Sequence, residues 1–399
     1  MSADAVKCYD VAVVGAGPAG CSAALALARS GHEVVLLEKA ALPRYKTCGG
    51  GLLHRALKLL PPPVESAIER RFNSVALNFL GSDRNYVVER PQPMVHMAMR
   101  ADLDYLLTRQ ATAAGARLVE SCLIRHLEEQ PGYVEIISEQ EKFRAKFVIA
   151  ADGVHSATAK AIGWPALPAL APALEYEIHL PPEDFARFSQ VPRFDFNSIA
   201  AGYSWVFPKR THLSVGILST ERVSHELHTK LMDYLHSIGI HRIEKIEKHG
   251  FLIPIAPRPG PLARNRVLLV GDAAGLVDPV MAEGISHAIL SGQLAAIALS
   301  ESRLDVSAAG RRYLELLEKQ ILGELRAGRF LARLLYHHPH VRDLAFRLNG
   351  QKLCEFVADV VMGARNYRDA VKNPASTLKL FGLWKPRSAT RLKPRATSS

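Results

Sequence analysis

A glycine-rich turn near the amino end constrains the fold of this chain more than any other feature. The letters GAGPAG fill residues 15–20 and stand between two apolar runs, Asp10–Val14 and Cys21–Ala28. A third apolar run, Val34–Glu38, follows after a short polar break. This order predicts a strand, a tight turn, a helix and a second strand, which is the βαβ unit that binds nucleotides.

The same unit supplies the first candidate contacts to a nucleotide. Gly15, Gly17 and Gly20 permit the turn and the close approach of a pyrophosphate to the backbone. Pro18 suits the first helical turn, where its missing amide hydrogen would have no intrahelical partner. Glu38 ends the second strand, where its carboxylate can accept hydrogen bonds from ribose hydroxyls. We therefore expect a bound nucleotide cofactor here.

Two further glycine-bearing segments narrow the choice of cofactor. They are ADG at 151–153 and GDAAG at 271–275. Three such segments in this order favour an enclosed FAD over a diffusible nicotinamide. Asp272 would accept a hydrogen bond from a ribityl hydroxyl. Gly284 and Ile285 open the following helix, whose positive amino end would favour negative charge on a reduced flavin.

Length and composition are those of an ordinary soluble protein. With 399 residues, 48% of them hydrophobic, the chain is long enough for two or three domains. No stretch approaches the roughly 18 uninterrupted apolar residues of a membrane span, and the start lacks the features of a signal peptide, so we expect a cytoplasmic protein. The five cysteines are scattered without a CxxC pair. They favour reduced thiols over zinc or an iron–sulfur cluster, and we expect no metal.

The formal net charge of +11 predicts attraction to an anionic partner, such as a phospholipid surface, a diphosphate or a nucleic acid. No helix-turn-helix, zinc-finger or RNP pattern accompanies the basic residues, so we expect no nucleic acid. The tail 379–399 is basic and carries several apolar residues, which is typical of segments that rest on an anionic bilayer. A frayed terminus accounts for the same composition. Peripheral membrane association is thus one of two interpretations.

Breaks in composition divide the rest of the chain. The stretch 163–182 is rich in proline and alanine and predicts the crossing into a second domain, whose β-like runs lie within 173–255. From about 283 onward the pattern is helical. The predicted fold class is α/β (α+β mixed), with a Rossmann-like FAD-binding domain, an inserted β-sheet substrate domain and a C-terminal helical region. The predicted bounds are 1–60, 99–165 and 260–320 for the FAD-binding domain, 61–98 and 166–259 for the substrate domain, 321–378 for the helical region and 379–399 for the tail.

Four segments together resemble a known family. Residues 43–51, PRYKTCGGG, match a PxxKxCGG signature, and residues 203–208, YSWVFP, followed by Gly216, match a YxWxFP…G motif. RADLD at 100–104 is similar to an RxxxD stretch, and residues 271–285 are similar to GDAAGxxxPxxGEGI. By these segments the chain resembles the geranylgeranyl reductase family, within the larger group of p-hydroxybenzoate-hydroxylase-like flavoproteins.

The resemblance implies an activity, the reduction of carbon–carbon double bonds in a prenyl chain with FAD. The electrons would come from NADPH or a reduced redox protein. Such a reaction needs a reduced flavin facing the alkene, a proton source and an apolar tunnel that excludes water. Tyr203, Trp205 and Phe207 would line this tunnel, although aromatic residues on a strand are as often ordinary core. The partner would be a hydrophobic isoprenoid molecule; its chain length and the oligomeric state stay open. Ala282 departs from the family pattern, which usually has glycine there.

The resemblance also implies a set of flavin contacts. They are Gly20, Glu38, Cys48, Gly49, Gly51, Arg100, Ile124, Asp272, Gly284 and Ile285. Cys48 is the candidate catalytic residue, because a thiol beside glycines in a flavin loop would approach the ring or the alkene. A packed, unreactive cysteine is the other interpretation. Arg44 and Lys46 would orient the flavin or an anionic headgroup, or are solvated loop charges. The three histidines within 337–340 indicate a helix terminus, not a metal site.

Two other functions use the same glycine segments. An FAD-dependent monooxygenase acting on an apolar or aromatic small molecule is the main alternative, and segments 43–51 and 203–208 favour the reductase over it. A flavoprotein that passes electrons to quinone at a membrane would be expected to carry a cysteine cluster for an iron–sulfur relay, which this sequence lacks.

Overall fold

The computed structural model describes residues 7–221 and 226–372. Its strands, in chain order, are β1 (Cys8–Val14), β2 (Val34–Leu37), β3 (Gly51–Leu53), β4 (Ile68–Phe72), β5 (Ser74–Phe79), β6 (Asn85–Glu89), β7 (Val95–Ala98), β8 (Arg117–Val119), β9 (Ile124–Gln130), β10 (Tyr133–Ser138), β11 (Lys142–Ala150), β12 (Leu170–His179), β13 (Arg193–Phe196), β14 (Gly202–Pro208), β15 (Leu213–Ser219), β16 (Lys245–Pro254), β17 (Ala263–Arg264) and β18 (Val267–Leu269).

Its α-helices are α1 (Pro18–Arg29), α2 (His54–Leu57), α3 (Arg100–Ala113), α4 (Ala157–Ala161), α5 (Pro182–Phe188), α6 (Leu227–Ser237), α7 (Gly271–Ala274), α8 (Ile285–Glu301), α9 (Val306–Leu317), α10 (Gly323–His337), α11 (Pro339–Val361) and α12 (Tyr367–Val371). A 3₁₀ turn covers Pro62–Ala67, and a π-helical turn, Glu318–Leu322, joins α9 to α10.

The amino-terminal βαβ unit forms the centre of a mostly parallel sheet. The strand order is β17-β18-β11-β1-β2-β8, and β1 pairs in parallel with both β11 and β2. Strand β10 pairs antiparallel with β11, and β9 pairs antiparallel with β10. Helix α1 packs beside α3 and α8 in one hydrophobic cluster with these strands. Because parallel strands are covered on both faces, β1 and β2 are almost continuously apolar, as the sequence predicted.

Two glycines of the turn occupy positions that no larger residue can take without moving the backbone. Gly15 has a φ of +105°, and a Cβ there would lie 2.5 Å from the carbonyl oxygen of Ala151. A Cβ on Gly20 would lie 1.9 Å from the carbonyl oxygen of Gly15. Since Ala151 directly follows β11, the GAGPAG and ADG segments are in backbone contact.

A second, mostly antiparallel sheet has the order β16-β12-β15-β14-β13-β5-β6. It combines strands from 74–89 with strands from 170–254. Strand β12 begins at Leu170, inside the proline- and alanine-rich stretch that the sequence predicted as a crossing. Pro172 is tolerated because it pairs only with β16, and the pairing of β12 with β15 starts at Ala173. A small third sheet has the order β3-β7-β4. In the sequence, its strands fall between strands of the two larger sheets.

Helices α10 and α11 pack against the second sheet. Tyr336 and Phe346 share a hydrophobic cluster with Phe79, Phe196 and Tyr203. The histidines at the end of α10 stand at a helix boundary, as predicted, because α11 begins at Pro339. The mixed α/β fold class is therefore confirmed. The division into domains stays a prediction; its boundary at 320/321 falls within the π-helical turn.

Within residues 7–221 and 226–372, no helix combines the length and the hydropathy that a membrane span requires. The basic tail 379–399 lies outside the described residues. Its attraction to an anionic bilayer stays a prediction.

Two mid-helix glycines provide a matched test of the packing of α1 on α8. A Cβ on Gly292 of α8 would lie 2.2 Å from the carbonyl oxygen of Ala19, whereas the nearest atom to a Cβ on Gly310 of α9 is 3.8 Å away. We expect Gly292→Ala to lower the free energy of unfolding by about 1–3 kcal/mol, because α1 and α8 must separate. Gly310→Ala should raise it by about 0.5–1 kcal/mol. Urea unfolding measures both, and equal shifts would contradict this close approach.

Candidate functional site

A cavity of about 810 Å³ is lined by residues of both large sheets and of helices α8, α10 and α11. Of the predicted site residues, those that line it are Gly15, Gly17, Glu38, Cys48, Gly49, Gly51, Arg100, Ile124, Tyr203, Trp205, Phe207, Asp272, Gly284 and Ile285. Gly20 is the exception, since it lies behind the turn against Gly15. The structure thus brings the predicted residues together, and their individual contacts with a ligand stay predictions.

Glu38 joins the first turn to the loop that follows β2. Its Oε2 accepts a hydrogen bond from the amide of Ala16 at 2.8 Å, and its Oε1 accepts one from the amide of Ala40 at 3.1 Å. Arg44 donates to Oε2 at 3.2 Å. The carboxylate is therefore fixed at the end of β2, with lone pairs left for a further donor.

Two arginines share one buried aspartate. Arg100 donates to both oxygens of Asp104 at 2.8 Å, and Arg44 donates to Oδ2 at 3.0 Å. Burial alone would lower the pKa of Arg100, but the nearby carboxylate of Asp104 outweighs burial and raises it. The RxxxD motif is thus an i,i+4 pair on α3 that fixes the Arg100 guanidinium at the cavity wall. Sequence analysis named Arg100 and gave no role to Asp104.

The ammonium group of Lys46 lies at the cavity and has a lowered pKa. Its Nζ lies 3.2 Å from the centre of the Phe251 ring and donates to the carbonyl oxygen of Thr47 at 3.2 Å. Burial, together with the positive charge of Arg100, lowers the pKa of Lys46 to about 8. Burial raises the pKa of Asp272, against the pull of Lys46 and Arg100. Lys46 thus lines the cavity and is partly buried, and its role toward a ligand stays a prediction.

The glycine loop 49–51 is held by a lysine that sequence analysis missed. Lys209 is fully buried, and its Nζ donates to the carbonyl oxygens of Gly49 at 2.7 Å and Ala98 at 3.1 Å. Gly50 has a φ of +66°, and a Cβ there would lie 2.3 Å from this Nζ. In the sequence, a clue to this role is that Lys209 directly follows the YSWVFP segment.

The spacing of the YxWxFP…G motif has a structural cause. Trp205 on β14 is the cross-strand partner of Gly216 on β15. A Cβ on Gly216 would lie 2.1 Å from the indole, so only glycine leaves room for this ring. Tyr203 donates from its hydroxyl to the carbonyl oxygen of Met281 at 2.7 Å. Tyr203 therefore connects the second sheet to the loop between α7 and α8.

A half-buried arginine organises that loop. Arg55 donates to Asp278 at 2.9 Å and to Glu283 at 3.1 Å, and the Tyr367 hydroxyl donates to Asp278 at 3.2 Å. Ala282, which replaces the usual glycine, has a φ of +52°. The loop therefore keeps the left-handed backbone that glycine would favour. Nothing in the local sequence connects Arg55 to residues more than 200 positions away.

Comparisons with known proteins identify the family. A family model described as an FAD binding domain matches residues 8–200. Digeranylgeranylglycerophospholipid reductase 1 of Methanopyrus kandleri is 31% identical over 357 residues, which cover 82% of this chain and 90% of that protein. This chain belongs to the geranylgeranyl reductase family. It is an FAD-dependent oxidoreductase, as the sequence predicted.

Two further comparisons agree with this family. Geranylgeranyl diphosphate reductase of Rhodobacter capsulatus is 30% identical over 297 residues, which cover 72% of this chain and 74% of that protein. A crystal structure of a geranylgeranyl bacteriochlorophyll reductase-like protein from Thermoplasma acidophilum has a TM-score of 0.76 at 23% identity and covers 95% of this chain and 100% of that one. The last comparison shows a common fold.

The geometry of this reductase-family protein fits FAD. Among the described residues no side chain caps α1 through a hydrogen bond, which leaves its first amides to bind a pyrophosphate. The nearest atom to a Cβ on Gly17 is 3.8 Å away and belongs to Arg100, so the backbone is open on this side. Glu38 would hold the ribose and Asp272 the ribityl chain.

We expect Glu38→Ala to weaken FAD binding by about 10- to 100-fold, because charge-assisted hydrogen bonds that fix the turn are lost. Flavin absorbance per protein after reconstitution with graded FAD measures the affinity. Glu33→Ala is the matched control, because the Glu33 side chain is exposed and forms an exposed ion pair with Lys7. Equal FAD affinity in the Glu38 and Glu33 variants would contradict the assignment.

Proposed function

We propose that this protein reduces carbon–carbon double bonds in the prenyl chain of an isoprenoid lipid or lipid precursor, with electrons from NADPH or a small redox protein. One observation carries the proposal: a single cavity joins the glycine-rich cofactor residues to an aliphatic and aromatic wall. That wall includes Leu77, Phe196, Leu335, Phe346, Leu353 and Val361. The names of these relatives, which denote reductases of geranylgeranyl compounds, support the same substrate class.

The wall suits a hydrocarbon chain for a physical reason. Its side chains come from the second sheet and from α10 and α11, and most of them belong to one hydrophobic cluster. An apolar chain that replaces water there gains about 25 cal/mol for each Å² of apolar surface that is buried. FAD supplies a hydride when it is bound and reduced. The residues of the chain position the alkene and exclude water from it.

Cys48 is proposed to contact the reacting atoms. Its Sγ accepts a hydrogen bond from the amide of Gly50 at 3.4 Å, and the Arg100 guanidinium lies beside it. Cys48 is half-buried and lines the cavity. These contacts orient the thiol within the glycine loop.

Anaerobic turnover tests the proposed reaction. With geranylgeranyl diphosphate and dithionite-reduced enzyme, we expect products heavier by two mass units for each reduced bond, measured by mass spectrometry. The hydride and the proton both come from sources other than oxygen, so no oxygen is needed. A product that forms only in air and carries one oxygen atom would instead identify the monooxygenase that the sequence left as the alternative.

The role of Cys48 has its own test. We expect Cys48→Ala to lower kcat for geranylgeranyl diphosphate by about 10-fold or more, because the thiol no longer contacts the reacting atoms. FAD content should not change. Cys8→Ala is the control, since Cys8 is an exposed free cysteine on β1 and is not among the residues of the cavity wall. Unchanged alkene reduction in Cys48→Ala would leave this cysteine without a catalytic role.

A further inference from the structure

A pair of buried glutamates on β12 stands beside the glycine loop and has no part in the cofactor site described above. Glu175 and Glu177 are two positions apart on one strand, so they lie on the same face of the sheet. They are 2% and 4% exposed, and Glu175 lines the cavity. Two carboxylates buried together repel each other when both are ionised. Such an arrangement is unfavourable for stability alone and is typical of sites that handle protons.

The two carboxyl oxygens of Glu175 differ in their hydrogen bonds. Its Oε1 accepts a hydrogen bond from the Ser214 hydroxyl at 2.6 Å, and within the described residues its Oε2 has no hydrogen-bond partner. Burial and the charge of Glu177 raise the pKa of Glu175 to about 7, against the opposing effects of Ser214, Lys209 and the Cys48 amide. The side chain therefore carries a proton near neutral pH, next to the glycine loop.

Glu177, two positions along the strand from Glu175, has a histidine and a tyrosine as neighbours. Its Oε2 lies 3.1 Å from Nε2 of His212, and its Oε1 accepts a hydrogen bond from the Tyr45 hydroxyl at 3.4 Å. The His212 ring stacks on His179, with 5.1 Å between the ring centres. Burial and His212 lower the pKa of His179.

We propose that Glu175 is the catalytic acid that protonates the substrate alkene, and that Glu177 and His212 pass protons to it from solvent. The inference rests on the proposed function. One alkene carbon receives a hydride, whose two electrons the reduced cofactor loses. The π electrons of the broken double bond take the proton from Glu175 and form the second C–H bond. Glu175 is left as a carboxylate and regains its proton through Glu177, and NADPH or a redox protein restores the electrons.

Glu175→Gln is the test variant, because it keeps the size of the side chain and removes its acidic proton. Glu247→Gln is the matched control. Glu247 is the cross-strand partner of Glu177 on β16, and its exposed carboxylate lies outside the cavity wall. Both changes replace a carboxyl group by an amide of the same size in the same part of the sheet.

The first readout needs no cofactor and no substrate. In flavin-free protein, wild type and Glu247→Gln should lose thermal stability relative to Glu175→Gln as the pH rises from about 4.5 to about 7. The sign follows from the raised pKa, since the unfolded chain releases this proton at a lower pH than the folded chain. Parallel pH profiles for wild type and Glu175→Gln would overturn the proposal, because Glu175 would then hold no proton at neutral pH.

The second readout uses the holoenzyme with geranylgeranyl diphosphate. We expect Glu175→Gln to lower kcat by about 100-fold or more, with FAD content and KM close to wild type, and Glu175→Asp to recover part of the activity. The kcat of wild type, Glu247→Gln and Cys48→Ala should fall as the pH rises above about 7. A Glu175→Gln enzyme within threefold of wild type would overturn the proposal. So would a Cys48→Ala enzyme that alone loses the fall at alkaline pH.

Different results would contradict the proposed function and the assignment of Glu175 as the acid. A wild-type enzyme that leaves geranylgeranyl diphosphate and its shorter prenyl analogues unreduced contradicts the proposed function, whatever the stability profiles show. An active wild type with an unimpaired Glu175→Gln variant contradicts only the assignment of the acid.

Discussion

The close approach of backbone segments at the amino end of α1 is the constraint on which the rest of this structure depends. A side chain at Gly15 would collide with the carbonyl of Ala151, and one at Gly292 would collide with the carbonyl of Ala19. A Cβ on Gly271 would lie 3.1 Å from the Cβ of Ala19. Segments from the beginning, middle and end of the chain therefore meet at one point. Because no side chains stand between them, the backbone is open to a pyrophosphate on the cavity side.

Buried charges then fix the polar part of the cavity. Arg44 and Arg100 share Asp104, while Arg55 joins Asp278 and Glu283. Each of these three carboxylates has a nearby guanidinium, which offsets the cost of removing charge from water. The rest of the cavity wall is mostly apolar. An apolar wall and a charged region therefore share one cavity.

Much of the fold could be predicted from local pattern. Strands β1 and β2 and helix α1 fall on the apolar runs from which the sequence predicted a strand, a turn, a helix and a second strand, because apolar patterning and helical starts are local properties. The start of β12 at Leu170 was not predicted, because the prolines nearby suggested a break. Strand β12 tolerates Pro172 because at this position it pairs only with β16. The partner residue there, Leu252, is far away in the sequence.

The sequence by itself determined the cofactor class and the glycine positions of the first turn, because glycine is required wherever backbone must approach backbone or phosphate, and that requirement is visible in a single short motif. Tertiary structure alone decided that Glu175 reaches the cavity and that Lys209 is buried behind the glycine loop. Glu175 sits on a strand whose pattern resembles many others, and Lys209 is an ordinary lysine until the fold buries it beneath Gly49. A buried charge is defined by the partners that surround it, and chain folding brings those partners from distant positions.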